Sequence, residues 1–153
     1  MKIDGQFTIE APIDVVWNSL LDPETLGMCV PGAEKMEKLD EETYESVVKQ
    51  RVGPFKVTLK FTTKLTEVIP PTAELHKGSI KAVGRGADIT KLGTFTTEIN
   101  VNLKELAHEV EVSYTADVSL VGRLATFGER IMRAKSKEVG DQFTENLRTR
   151  LKA

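Results

Sequence analysis

The sequence predicts an α+β fold: a curved antiparallel sheet of about seven strands wrapped around one long C-terminal helix, with short helices after the first strand. Three observations carry this reading. Residues 2–10, and most of the run from Glu34 to Ser119, alternate apolar and polar residues with period two, as half-buried strands do. From Leu124 to Leu151, the residues Leu124, Phe127, Ile131, Val139, Phe143, Leu147 and Leu151 recur at spacings mostly of four, an apolar stripe along about seven helical turns. The connections between alternating segments are short, so consecutive strands are expected to pair antiparallel.

In chain order, Ile3, Gly5, Phe7 and Ile9 alternate with polar residues as a first strand. Pro12 suits a helix start, and Ile13, Val16, Trp17, Leu20 and Leu21 share one face of a short helix. That helix should end near Asp22-Pro23, because a residue before proline is pushed out of helical conformation. Residues 22–32 hold two prolines and two glycines, fitting either a second helical turn or a structured loop. Tyr44 to Val52 reads as a strand of weak sidedness, and Phe55 to Leu65 as the cleanest strand, ended by Pro70-Pro71. Residues 72–82 read as a shorter strand around Leu75 and Ile80. Gly84-Arg85-Gly86 permits a bend, a bulge or a close backbone approach. Phe95 to Leu103 and Val110 to Leu120 are two further strands, joined by a hairpin at residues 104–107. The final helix carries a polar face including Glu129, Arg130, Arg133, Lys137 and Asp141, with Glu129 and Arg133 spaced for an exposed ion pair.

At 153 residues with a net charge of −2, the chain has the size and balance of one globular domain, residues 1–153, with no excess of basic residues to suggest nucleic acid. The one cysteine, Cys29, excludes an internal disulfide and gives no support for an oxidising compartment. No apolar signal segment opens the sequence and no window reads as membrane-spanning, so a cytoplasmic protein is expected.

The catalytic inventory is poor. Gly84-x-Gly86 lacks the third glycine and the strand-to-helix context of a dinucleotide site. His76, His108 and Cys29 offer no metal-ligand spacing, and no serine sits in a nucleophile elbow. No catalytic residue, metal or cofactor is therefore expected. A curved sheet cannot touch a straight helix everywhere, however, so a cavity between them is the functional lead. Its candidate wall is Phe61, Leu75, Phe95, Thr97, Tyr114, Leu124, Phe127 and Ile131. The competing reading is that these residues interlock as ordinary core. Thr97 and Tyr114 place hydroxyls on apolar faces, where a ligand, a backbone carbonyl or a trapped water could partner them. Trp17 is expected to pack the first helix onto the sheet, Cys29 to be a small buried hydrophobe, and both histidines to be solvated.

Several of these pieces together resemble one family. Gly5-x-Phe7-x4-Pro12-x3-Val16-Trp17, then Asp22-Pro23-Glu24-x-Leu26-x2-Cys29-x-Pro31-Gly32, look like the opening of the CoxG family, the G-type accessory proteins of carbon monoxide dehydrogenase. Val52-Gly53-Pro54-Phe55, Pro70-Pro71, Gly122-Arg123-Leu124-Ala125 and Gly128-x-Arg130 are similar to it as well. The resemblance implies the START-like, or Bet v 1-like (SRPBCC), helix-grip fold, whose members bind lipids, sterols or polyketides between sheet and helix. It also implies association with molybdenum hydroxylases of the carbon monoxide dehydrogenase type, in maturation, membrane recruitment or electron passage towards quinone. Some relatives end in a membrane anchor. This sequence stops at Ala153, directly after the helix, so any membrane contact is expected to be peripheral rather than through a transmembrane segment. Between Arg123 and Lys152, eight basic residues face four acidic ones, a surface suited either to solvent or to anionic lipid.

The function expected is that of a non-enzymatic accessory protein binding an apolar, quinone- or lipid-like molecule for a molybdenum hydroxylase. Two alternatives stand beside it. One is a polyketide cyclase- or dehydratase-like enzyme; the other is a ligand-free interaction module for enzyme maturation.

Overall fold

The computed structural model describes residues 1–152. The first alternating segment forms β1 (Lys2–Ile9), followed by α1 (Ile13–Leu21) and α2 (Pro23–Cys29). Six strands follow: β2 (Ala33–Lys38), β3 (Thr43–Val52), β4 (Phe55–Ile69), β5 (Lys77–Asp88), β6 (Gly93–Glu105) and β7 (Val110–Gly122). A 3-10 segment, Arg123–Phe127, leads into α3 (Gly128–Lys152). The strands form one antiparallel sheet in the order β1-β7-β6-β5-β4-β3-β2, with β5 at its centre. β1 closes onto β7 in register from Lys2 opposite Asp117 to Ile9 opposite Val110. This is the helix-grip arrangement that the period-two and period-four patterns predict.

The two short helices meet at Asp22. Its carboxylate accepts the Thr25 backbone N–H at 3.1 Å and the Thr25 hydroxyl at 2.7 Å, capping α2 as Pro23 enters its first turn. Trp17 is buried, its ring lying over Gly78 at one end of β5 where a side chain would collide with it. Cys29 is buried and unpaired, as expected, and burial pushes its thiol pKa up, opposed by the charge of Arg150. Asn146 donates to the Cys29 carbonyl at 2.9 Å, and Arg148 donates twice to the Thr8 carbonyl, tying the far half of α3 to α2 and β1.

Two buried clusters sit at opposite ends of the sheet. The larger joins Ile9, Trp17, Ile80, Leu103 and Val112 to Leu147 of α3, with Phe7 and Phe143 packed against it edge to face. The smaller joins Val52, Val57 and Leu124, with Phe55 stacked on Phe127 at 5.3 Å and Met132 packed beside them.

Two expectations are corrected. The strand at residues 72–82 starts only at Lys77, because residues 73–75 form a turn after Pro71, with the Leu75 N–H donated to Thr72 Oγ1 and the His76 N–H to the Thr72 carbonyl. Leu75 is accordingly 61% exposed and takes no part in any inner wall. Nor is the C-terminal run one continuous helix from Leu124. Gly122 and Gly128, both at φ 83, bracket the 3-10 turn, and this backbone conformation favours glycine. A 3-10 turn advances each residue by about 120° rather than 100°, so the stripe loses phase. Ile131 is 45% exposed, and Met132 takes the inward place beside the smaller cluster. From Val139 onwards the stripe runs as predicted, through Phe143, Leu147 and Leu151.

The turn between β5 and β6 is held by one buried carboxylate. Asp88 accepts the N–H groups of Thr58 at 2.8 Å, Thr90 at 2.8 Å and Leu92 at 3.2 Å, together with the Thr90 hydroxyl. Burial alone would raise its pKa, but these donors prevail and hold it below the ordinary 3.8. A carboxyl whose folded pKa is depressed stabilises the fold above its unfolded pKa and ceases to as pH falls through the folded value. Asp88→Asn is therefore expected to cost about 1–3 kcal/mol at neutral pH and to flatten the acid limb of stability below about pH 4. Urea unfolding between pH 7 and pH 3 measures both effects.

Candidate functional site

Register places a continuous inner face on the three middle strands. On β5 it runs through Ala82, Gly84 and Gly86; on β4 through Leu65, Thr63 and Phe61; on β6 through Ile99, Thr97 and Phe95. The central strand thus presents almost no side chain at its middle. Phe61 stands opposite Gly86, which stands opposite Phe95, and the two rings meet edge to face across the glycine at 5.6 Å. A Cβ on Gly86 would come within 2.7 Å of the Phe61 backbone, so close approach is what the Gly84-x-Gly86 signal meant. β7 continues the face with Tyr114, Ala116 and Val118.

These residues belong to neither buried cluster. Phe61, Phe95, Thr97, Ile99, Ala116 and Val118 point toward the helix layer from interior strands, yet all remain partly exposed. Opposite them α3 offers Lys135, Ser136, Val139 and Gly140, also partly exposed. The side-chain amine of Lys135 is turned to Glu138 at 2.9 Å. Sheet and helix are therefore in contact at both ends and separated by an incompletely filled layer between them.

Two hydroxyls mark this layer. Among the described residues, Thr97 Oγ1 is a buried side-chain polar atom without a hydrogen-bond partner. Such an atom costs about 1–3 kcal/mol when left unsatisfied, and Thr97 lies over Gly84, its methyl group filling the space a side chain there would need. Tyr114 spans the layer from β7, its hydroxyl beside Gly140 of α3 and its ring over Gly5 of β1. Burial pushes its phenol pKa up, the Asp141 and Asp4 carboxylates add to this, and Lys137 opposes it. At neutral pH Tyr114 is protonated and offers an O–H donor.

Of the predicted wall, Phe61, Phe95, Thr97 and Tyr114 come together on this face. Leu124 and Phe127 lie in the smaller cluster at one end; Leu75 and Ile131 lie on the surface. Sequence reasoning missed Ala82, Gly84 and Gly86 as a floor because small residues carry no apolar signal, and missed Met132 because of the helix phase. Both histidines are exposed, and His76 Nδ1 is 2.8 Å from Glu105 Oε1 at the far end of the sheet. Among the described residues no three His, Cys, Asp or Glu side chains gather as a metal site requires, and no helix is long and apolar enough to cross a membrane. Two hollows lie outside this layer. One of about 540 Å³ is on the outer sheet face beside Thr62, Arg85, Thr96 and Ser119; one of about 280 Å³ is beside Glu10, Glu109 and Arg148.

The family model for CoxG, the G-type component of carbon monoxide dehydrogenase, matches residues 5–152. No curated protein matches the sequence. Among solved structures, a conserved protein from Geobacillus kaustophilus is similar in fold with a TM-score of 0.81 at 19% identity, covering 99% of this chain and 95% of its own. A START superfamily protein from Mycobacterium smegmatis has a TM-score of 0.70 at 11% identity, with 99% and 97% covered. The Zhui aromatase/cyclase from Streptomyces sp. R1128 has a TM-score of 0.65 at 12% identity, with 99% and 93% covered. At these identities the likeness is one of fold.

If the Thr97 hydroxyl is retained for a ligand rather than for the fold, removing it should not harm the empty protein. Thr97→Val is expected to leave ligand-free stability unchanged or to raise it by about 1 kcal/mol, measured by urea unfolding. A loss of more than about 1 kcal/mol would give the hydroxyl a structural role.

Proposed function

This chain belongs to the CoxG family of carbon monoxide dehydrogenase proteins, and on that premise we propose that it is a non-enzymatic accessory protein holding an apolar molecule between its sheet and final helix. The molecule is quinone- or lipid-like, and the protein serves a molybdenum hydroxylase of the carbon monoxide dehydrogenase type, acting in the cytoplasm as one domain. The observation that carries this reading is the buried, unpartnered Thr97 hydroxyl set among partly exposed apolar side chains. Binding sites for small apolar molecules are built this way, mostly apolar with a few placed polar groups.

Phe61, Phe95 and Val118 supply apolar contact, while the Thr97 and Tyr114 hydroxyls are two donors spaced along the layer for ligand carbonyls or hydroxyls. Tyr114, with its proton held more tightly than usual, suits a hydrogen-bond donor better than a general base. That favours holding a molecule over transforming it. Leu124 and Phe127 close one end of the layer and meet a ligand only if it extends that far.

Native mass spectrometry of the purified protein, followed by organic extraction, tests the reading. A co-purifying apolar molecule, or binding of an added short-chain quinone, is expected. Ala116→Trp should fill the layer and weaken that binding at least tenfold, and Thr97→Val should weaken binding of a carbonyl-bearing ligand by roughly tenfold, the worth of one hydrogen bond. A protein that carries nothing and ignores added quinones and lipids would leave the interaction-module reading. Turnover of a polyketide-like substrate, lost in Tyr114→Phe, would make it an enzyme.

A further inference from the structure

Three turns that are far apart in sequence converge at the end of the sheet nearest the smaller cluster: residues 52–55, 88–93 and 121–128. Arg123 stands over the Phe55 ring at 5.8 Å, the Leu124 N–H is donated to the Leu92 carbonyl at 2.9 Å, and the Ile89 N–H to the Thr58 carbonyl at 2.9 Å. These contacts make the turns one surface.

That surface is basic. Arg51, Lys56, Lys91, Arg123 and Arg130 are all exposed, and none has a carboxylate within 4.0 Å among the described residues. The two carboxylates nearby are committed: Asp88 is buried under its own hydrogen bonds, and Glu129 pairs with Arg133 at 3.6 Å. Arg51 and Lys56 stand directly opposite each other across the β3–β4 hairpin. Like charges in that relation oppose strand pairing, and an external anion would relieve them. The chain as a whole carries −2, so the charge is polarised along the molecule, which orients it against an anionic surface.

The same surface is apolar at its edge. Ile89 is 60% exposed in the β5–β6 turn, Val121 is 64% exposed at the end of β7, and Ile131 is 45% exposed on the first turn of α3. The basic face expected along α3 is by contrast largely engaged. Lys135 pairs with Glu138, Lys137 with Asp141, and Arg148 holds the Thr8 carbonyl.

We propose that this end of the sheet is a docking surface for a lipid bilayer carrying anionic headgroups. Ile89, Val121 and Ile131 enter the headgroup region while the ring of unpaired cations meets the lipid phosphates. Protruding aliphatic side chains beside unpaired Lys and Arg are what interfacial attachment requires, the aliphatic tips burying apolar area and the cations adding electrostatic attraction. An acidic protein surface would reward the cations but not three separated aliphatic tips. The inference does not depend on what the interior layer holds.

Flotation of the full chain with vesicles tests it, comparing pure phosphatidylcholine with phosphatidylcholine and phosphatidylglycerol in equal parts. Binding is expected to the mixed vesicles only and to fall at least tenfold between low and high salt. Lys91→Glu with Arg123→Glu should abolish it, and Ile89→Ser with Val121→Ser should weaken it at least fivefold. Val83→Ser, at an exposed position on the outer face, should leave it unchanged. Circular dichroism confirms that each variant is folded; the residues are exposed, so all should be. Absence of binding to the mixed vesicles, equal binding to both kinds, or indifference to the serine pair would overturn the proposal. So would charge-reversal variants that lose a protein partner while the parent protein never floats with lipid.

Discussion

A straight helix of 25 residues lies across a coiled sheet, and the mismatch between the two decides what the rest of the molecule can do. The two surfaces meet where they can, at the ends, and each meeting is closed by its own apolar cluster. One is built around Trp17, Ile80 and Leu147, the other around Val57 and Leu124. Between them the central strand removes side chains from its inner face through Ala82, Gly84 and Gly86. Both features act in one direction. Curvature lifts the helix from the middle of the sheet, and the small residues deepen the space beneath it.

Holding such a layer open has an energetic consequence, since apolar side chains that meet neither each other nor the helix forgo about 25 cal/mol for each Å² left exposed. The ends must make up for it. Polar anchors there are numerous and specific: Asp88 gathers four donors at one end, while Asp22, Asn146 and Arg148 tie helices and β1 together at the other. The middle has the opposite character, with a buried hydroxyl that lacks a partner. A fold that satisfies its polar groups at both ends and leaves one unsatisfied between them has set that place apart for another molecule.

Much of this was legible in the sequence, for reasons that are local. Period two from β3 to β7 and period four from Val139 onwards each come from a single element, so each can be read without knowing its neighbours. The opening of α1 at Pro12 and its end at Asp22-Pro23 are likewise local chemistry. What escaped depends on three-dimensional context. Ile131 fits the stripe on paper, but Gly128 and the 3-10 turn rotate it to the surface. Leu75 looks like a strand residue until the Thr72 turn is seen to precede β5. Phe61, Phe95, Thr97 and Tyr114 were individually recognisable as inward-facing, and Gly84-x-Gly86 as a place of close approach. That the glycines lie between the two phenylalanines follows only from the register of β4, β5 and β6. The cations of the basic end come from three separate turns and converge only in the fold.

The most direct test of the open layer is methyl-resolved NMR of the protein titrated with a soluble short-chain quinone. The methyl groups of Ile99, Val118 and Val139 face the layer, and those of Val83 and Ile69 are exposed elsewhere and serve as controls. Saturable shifts at the first set, with the controls unmoved, are the result this account predicts. Shifts confined to the exposed methyls, or none at ligand concentrations well above the micromolar range, would contradict it and leave the layer as loosely packed core.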